Sequence, residues 1–294
     1  MRKQTKADLM LLFVTMSWGL SYLMMRYALA DVAPMMLNVY RFGGAFLLAG
    51  LFTFKRLKKV NWITLKYSFL VGVSLFFVYV GATYGILHTS ISNAGFLCAL
   101  TVIFVPLLEF LLFRRRPPRR VLFAAILSLV GIMLLTLKSD FSINLEHWKG
   151  DLLCMTCALA YAADLIITDR ALGHEEVDAY SLGVFQLGAV ALMMAVFSGF
   201  LETPTLPASG LSWFAVIFLS IFCTGLAFIV QALAQQYTTP AHVGIIFALE
   251  PVFSGVAAFA FAGERLTGRA YIGAAIMVAA LLLAELAPEE RKSS

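Results

Sequence analysis

The sequence predicts an all-α integral membrane protein of ten transmembrane helices, built as two inverted five-helix repeats. Three observations carry that expectation: apolar residues gathered in blocks, lysine and arginine placed on one side, and a chain that matches itself at half its length. Hydrophobic residues make up 61% of the 294 and charged residues 13%. A soluble domain has about 45–50% and about 25%, so polar surface here is too scarce for water. The blocks run about 20 residues, the length that crosses a hydrocarbon layer about 30 Å thick.

Charge clusters and Pro/Gly breaks divide the blocks into ten spans. These are Asp8–Tyr27, Pro34–Phe54, Tyr67–Leu87, Asn93–Phe113, Arg119–Leu137, Gly150–Thr168, Asp178–Phe200, Leu211–Leu233, Ala241–Ala262 and Gly268–Ala287. The runs do not alternate in twos, which favours helices over barrel strands. Met1–Lys6 is basic like the start of a signal peptide. The apolar run behind it is too long for a cleaved segment, so it is expected as an uncleaved first helix. Cys98, Cys154, Cys157 and Cys223 all fall within spans, without the His or carboxylate spacing of a metal site, and read as packing residues.

Charge placement sets the expected orientation. With the N-terminus inside, sixteen of the 22 lysines and arginines fall on inner connectors and termini, including Lys55–Lys59 and Arg114–Arg120. Five (Arg26, Lys138, Lys149, Arg265 and Arg269) fall outside, and Arg41 lies within a span. This bias is what membrane insertion requires, and it explains the basic clusters without nucleic acid. Both termini are therefore expected in the cytoplasm, with the protein in the cell (plasma or inner) membrane.

The halves align. Asp8-Leu9 and Ala28-Leu29 match Asp151-Leu152 and Ala171-Leu172 at an offset of 143; Val39, Gly43 and Phe52 match Val184, Gly188 and Phe197 at 145. Thr89, Gly95, Ala99, Leu100 and Phe104 match Thr238, Gly244, Ala248, Leu249 and Phe253 at 149. The repeats are placed at residues 1–145 and 146–294. Five spans per repeat is odd, so the second half enters from the opposite side. Inverted repeats of this kind let a midplane site face each side in turn, which is a transporter device.

Further motifs carry a resemblance. Gln235-Gln-Tyr-Thr-Thr-Pro240, Ala248-Leu-Glu-Pro-Val252 and Gly263-Glu-Arg-Leu-Thr267 resemble the end of the EamA domain of the drug/metabolite transporter superfamily. Ser17-Trp18-Gly19, Tyr40-Arg41-Phe42 and Val105-Pro-Leu-Leu108 are similar to its first-repeat positions, though Arg114-Arg-Arg-Pro117 stands where a Gly-Glu-Arg would be. The resemblance implies ten helices, cytoplasmic termini and, usually, export of amino acids or other metabolites.

Ionisable groups in spans are the first site candidates, because burying them in lipid is costly. Glu250, directly before Pro251, reads either as a proton-titrating or cation-binding carboxylate or as a structural carboxyl bonded to a neighbouring helix. Arg41 reads either as a partner for a substrate carboxylate or as half of an interhelical ion pair. Trp18 and Tyr161 occupy equivalent mid-depth positions, suited either to lining a cavity on the pseudo-symmetry axis or to filling a lipid-facing core. Tyr79, Asn93, Gln186 and Gln231 are polar groups that could join such a cavity. Asp164 suits an inner gate or snorkelling to the interface, while His88 and His242 fall at span ends, where solvated histidines are ordinary.

The leading expectation is a secondary transporter, without cofactor or metal, that exports a small amphipathic metabolite such as an amino acid by alternating access. Its partners would be the solute, the bilayer and, if Glu250 titrates, protons as coupling ion; one chain can suffice as a monomer. Import or exchange of a sugar, vitamin or nucleoside-like solute is the alternative within transport. A membrane-embedded lipid-modifying enzyme is the alternative from another class, disfavoured because no cluster of catalytic His, Asp or Glu gathers at one face. No phosphate loop, HExxH site or Ser-His-Asp set stands in a credible context.

Overall fold

A computed structural model describes residues 3–89, 91–114, 116–136, 148–262 and 267–285. Among the described residues there are helices and no strands. Among the described residues, eight helical stretches are long and apolar enough to cross a membrane, and a shorter apolar one covers Gly268–Ala284.

The first three helices are α1 (Lys3–Ala28), α2 (Pro34–Leu57) and α3 (Trp62–His88). The fourth expected span is interrupted: α4 (Ile91–Ala99) and α5 (Thr101–Phe113) meet at Leu100. Then follow α6 (Arg119–Thr136), α7 (Trp148–Leu172) and α8 (Ala179–Leu201). The eighth span is α9 (Gly210–Phe218), a π-helical segment (Leu219–Leu226) and α10 (Ala227–Gln235). The ninth breaks into α11 (Pro240–Phe247) and α12 (Glu250–Ala262), with Pro251 in the first turn of the second piece, and α13 (Gly268–Glu285) closes the described chain.

Capping explains where these helices start. Asn61 Oδ1 accepts from Thr64 N at 2.8 Å, Asp178 from Ser181 N at 3.0 Å and Ser209 Oγ from Ser212 N at 3.1 Å. Each such side chain satisfies one of the N–H groups that a helix start leaves orphaned. The α2 start differs, because Pro34 follows Ala33 and no local side chain caps it. Its donors go to the other half: Glu202 Oε1 accepts from Met35 N at 2.9 Å, and Glu202 Oε2 accepts from Met36 N at 3.0 Å.

The most extensive packing joins α3 to α7, α6 to α13 and α2 to α8. The α1 helix lies against α12 on one side and against the segment 210–235 on another. Glycines permit the closest crossings. A Cβ on Gly19 would meet Phe253 Cβ at 2.5 Å and Ser254 N at 2.8 Å, so α1 and α12 touch nearly backbone to backbone.

Both bundle ends are tied across the halves. At the end carrying the basic clusters, Arg56 Nε donates to Asp178 Oδ2 at 3.1 Å, and Asn61 Nδ2 donates to the Glu176 carbonyl at 2.6 Å. At the opposite end, Ala33 N donates to Thr205 Oγ1 at 2.9 Å, Tyr40 Oη donates to the Thr205 carbonyl at 2.7 Å, and Ala208 N donates to Asp31 Oδ2 at 2.9 Å. Burial pushes the Asp178 carboxyl up, but hydrogen bonds from Arg56 and Ser181 outweigh it and hold it below the usual range. The Ser212 hydroxyl nearby, with hydrogen bonds from the Ala208 and Ser209 N–H groups, does the same for Asp31. Both ties are therefore intact at neutral pH and weaken only as acid protonates these carboxylates.

Candidate functional site

Six spans deliver aromatic rings to one buried cluster. Trp18 of α1 is 6% exposed and touches Tyr161 of α7 at 6.0 Å, Phe228 of α10 at 5.5 Å and Phe247 of α11 at 4.8 Å between centroids. Tyr161 stacks on Phe247 at 6.1 Å with 5° between planes. Phe42 of α2 joins through Phe228 at 5.9 Å and meets Tyr79 of α3 edge-on at 4.7 Å. Trp18 and Tyr161, read from the sequence as equivalent mid-depth positions, are thus in direct ring contact.

The π-helical segment anchors this cluster. A π-helix leaves carbonyls outside the regular ladder, and such segments recur at functional sites. Here the Cys223 carbonyl accepts from Trp18 Nε1 at 2.9 Å and from the Arg41 guanidinium at 3.4 Å, and Thr224 Oγ1 accepts from Arg41 Nε at 2.9 Å. Cys223 Sγ donates to the Ser17 carbonyl at 3.2 Å. One residue type that reads as plain packing in the sequence therefore presents the backbone oxygen that fixes the indole.

Arg41 is 2% exposed, and among the described residues no carboxylate lies within 4.0 Å of it. Among the described residues, then, Arg41 forms no interhelical ion pair. The guanidinium instead lies over the rings of Tyr79 at 5.0 Å and Phe42 at 5.7 Å. Glu250 is half-buried at the start of α12, within electrostatic reach of Tyr79, Tyr161 and Cys98.

Asp164 corrects its snorkelling reading. It is 1% exposed, and neither carboxylate oxygen has a hydrogen-bond partner among the described residues. Gln231 stands close enough to act on the carboxyl, yet outside hydrogen-bond geometry. Its amide donates to Gln235 Oε1 at 3.2 Å, and Gln235 donates to the Leu165 carbonyl at 3.2 Å. Gln186 is buried on α8, where no hydrogen bond or ring contact joins it to the cluster among the described residues. The Asn93 side chain lies outside the described residues. His242 also departs from expectation: it is buried, with Nε2 3.2 Å from Asp8 Oδ1.

Sequence reasoning missed Phe42, Phe228, Phe247, Thr224 and the Cys223 carbonyl. Phenylalanine is too common in this chain, at 25 residues, for any one to stand out. A signal did exist for Glu202, because Ala33-Pro34 leaves a helix start with no local cap.

Apolar helices packed around a buried aromatic and cationic cluster define a multi-pass membrane protein. The family model of the EamA-like transporter family matches residues 5–137 and again 148–286, and the chain belongs to that family. It is 28% identical to an uncharacterized transporter of Archaeoglobus fulgidus over 284 residues, 97% of this chain and 87% of that one. A second uncharacterized transporter of that organism is 26% identical over 289 residues, 95% of this chain and 97% of that one. The uncharacterized transporter YwfM of Bacillus subtilis is 24% identical over 303 residues, covering 98% and 96%. A crystal structure of a protein 21% identical superposes with a TM-score of 0.81 over 96% of this chain and 97% of that one, a likeness of fold. Family and relatives point to a transporter rather than an enzyme.

Proposed function

We propose that this protein is a secondary transporter that exports a small amphipathic metabolite, such as an amino acid, by alternating access. The observation that carries the reading is the buried cluster to which both halves contribute: Trp18, Phe42 and Tyr79 from one, Tyr161, Phe228 and Phe247 from the other. Trp18, Phe42, Phe228 and Phe247 are buried, so a solute would reach them only when helices rearrange, as alternating access requires. Resemblance to the family supports the direction. The solute would contact Trp18, Arg41, Tyr79, Asn93, Tyr161, Gln186, Gln231 and Glu250, while Glu250 and Asp164 serve coupling or gating, with protons as the coupling ion.

We further propose ten helices in two inverted repeats, at 1–145 and 146–294. Packing supports it: exchanging spans one to five with six to ten turns the α3–α7 pairing into that of α1 with 210–235. The same exchange leaves α2–α8 and α6–α13 each paired with itself. Two family matches in tandem support it as well. The charge bias supports cytoplasmic termini in the cell membrane, and one chain contains the whole cluster, as a monomer would.

Orientation is tested by single cysteines in an otherwise cysteine-free protein. Lys58→Cys and Arg116→Cys are expected to react with impermeant thiol reagents from the cytoplasmic side alone, and Thr205→Cys from the outside alone. Labelling of both regions from one side would end the inverted arrangement.

Function is tested in liposomes holding purified protein. Unmodified amino acid should cross the membrane, faster with an imposed pH gradient. Glu250→Gln should still exchange solute yet lose that acceleration, because an amide cannot alternate between charged and neutral states. A variant with the wild-type response would remove Glu250 as proton carrier, and chemical change in the lipid without solute flux would favour an enzyme.

A further inference from the structure

We infer that the bend in α2 and the basic cluster beyond it form a binding site for one anionic phospholipid. Its phosphate lies at Lys55 and Lys59, and an acyl chain runs along Leu51, Phe52 and Phe54. The inference stands apart from the cargo and its direction, and needs only that the chain spans a bilayer.

Shape carries the first part of the argument. The α2 helix kinks at Thr53, whose φ of −124° and ψ of 17° leave the helical region. Thr53 Oγ1 donates to the Ala49 carbonyl, a back-bond that bends helices. Beside the kink lies a cleft of about 590 Å³, walled by Leu51, Phe52, Thr53 and Phe54 and ending at Lys55 and Arg56. Leu51, Phe52 and Phe54 are exposed there. A second cleft, of about 420 Å³, begins at the same Lys55 and Arg56. Lys59, Asn61 and Thr64 line it from the first half, and Glu176, Asp178 and Ser181 from the second. Two cations thus join an apolar wall to a polar one, the layout of a lipid's chain and headgroup.

Charge selects the headgroup. The polar cleft sets Lys55, Arg56 and Lys59 against Glu176 and Asp178, which leaves one positive charge over. Asp178 is already engaged, since its carboxylate accepts from Arg56 and from Ser181. Lys55 and Lys59 form no ion pair among the described residues, and Lys58 stands beside them, 4.4 Å over the Phe54 ring. Basic pockets between transmembrane helices receive anionic headgroups in this way. Trp62, exposed at the α3 start, marks the depth, because indole rings collect where hydrocarbon meets headgroups. The polar cleft also takes residues from both halves at the Arg56–Asp178 tie. A lipid seated there favours the arrangement in which the halves meet at this end.

The test is thermal unfolding of the purified protein in a neutral detergent, titrated with phosphatidylglycerol, phosphatidylcholine, phosphatidylethanolamine or inorganic phosphate. Phosphatidylglycerol should raise the melting temperature, because a ligand that binds only the folded state stabilises it. The two zwitterionic lipids and phosphate should not do so at the same concentration. Lys55→Gln combined with Lys59→Gln should weaken the apparent affinity for phosphatidylglycerol roughly tenfold, the worth of one charged hydrogen bond. Both lysines are exposed, and either single variant serves should the double one not fold. Arg116→Gln combined with Arg119→Gln removes as much charge from the same end but outside the clefts, and should leave that affinity unchanged. Five results would each overturn the inference: a zwitterionic lipid as effective as phosphatidylglycerol, a shift from phosphate alone, wild-type affinity without Lys55 and Lys59, an equal loss in the Arg116 and Arg119 variant, or no response to phosphatidylglycerol.

Discussion

Gly131→Ala is expected to lower the melting temperature, whereas Gly50→Ala, the same chemical change, is expected to raise it. A Cβ on Gly131 of α6 would run into the Met277 side chain and stand 2.8 Å from the Gly273 carbonyl. Gly273 of α13 is equally tight, since its Cβ would lie 2.6 Å from the Gly131 carbonyl and 2.9 Å from Leu135 N. The obstacles are backbone atoms on both sides, so the helices must part to admit a methyl group. Forcing extra volume into a packed core costs about 1–3 kcal/mol. Gly50 of α2 has nothing within 4 Å, so alanine there adds no clash and restrains the unfolded chain. That restraint is worth about 0.5–1 kcal/mol in a helix. Thermal unfolding of the two variants checks the pair, and equal shifts would contradict the crossing.

Glu202→Ala is expected to release the end of the bundle opposite the basic clusters. Its carboxylate accepts from Met35 N through both oxygens, at 2.9 and 3.0 Å, and from Met36 N at 3.0 Å. Negative charge at a helix start also complements the partial positive charge there. Because Ala33 offers no cap, nothing local replaces it. Losing an acceptor shared by two backbone donors costs about 1–3 kcal/mol, with water at this half-buried site recovering part. A shift of that size moves a two-state equilibrium by roughly fivefold to a hundredfold. Spin labels at Ala30 and Ala208 should therefore report a larger separated population in Glu202→Ala than in the wild type. Glu202→Gln, which keeps one acceptor oxygen, should fall between, and distances unchanged in both variants would remove Glu202 as a tie.

Much of the fold was legible from residue order. Pro34, Asp178 and Gly268 mark helix starts within a residue of the expected ones, because proline, caps and glycine act locally. The sequence marked Trp18 and Tyr161 only as corresponding positions, since the offset that aligns Asp8 with Asp151 also aligns them, with no sign that the rings touch. Helix interruptions were legible at Pro251 but not at Leu219–Leu226, whose residues read as an ordinary apolar run. That segment answers to tertiary donors, Trp18 Nε1 and Arg41, which no local pattern encodes. Asp164 misled for a related reason. Its position near a span end suggested escape to the interface, whereas α7 buries it between helices.

The central claim is that the halves open one end while closing the other. Pulsed distance measurements on two label pairs in lipid test it most directly, one pair at Ala30 and Ala208, the other at Lys59 and Glu175 at the basic end. All four positions are exposed. As solute or pH is varied, the account predicts that the separated population of one pair rises as that of the other falls. Two pairs that lengthen together, or that stay fixed while solute crosses the membrane, would contradict it.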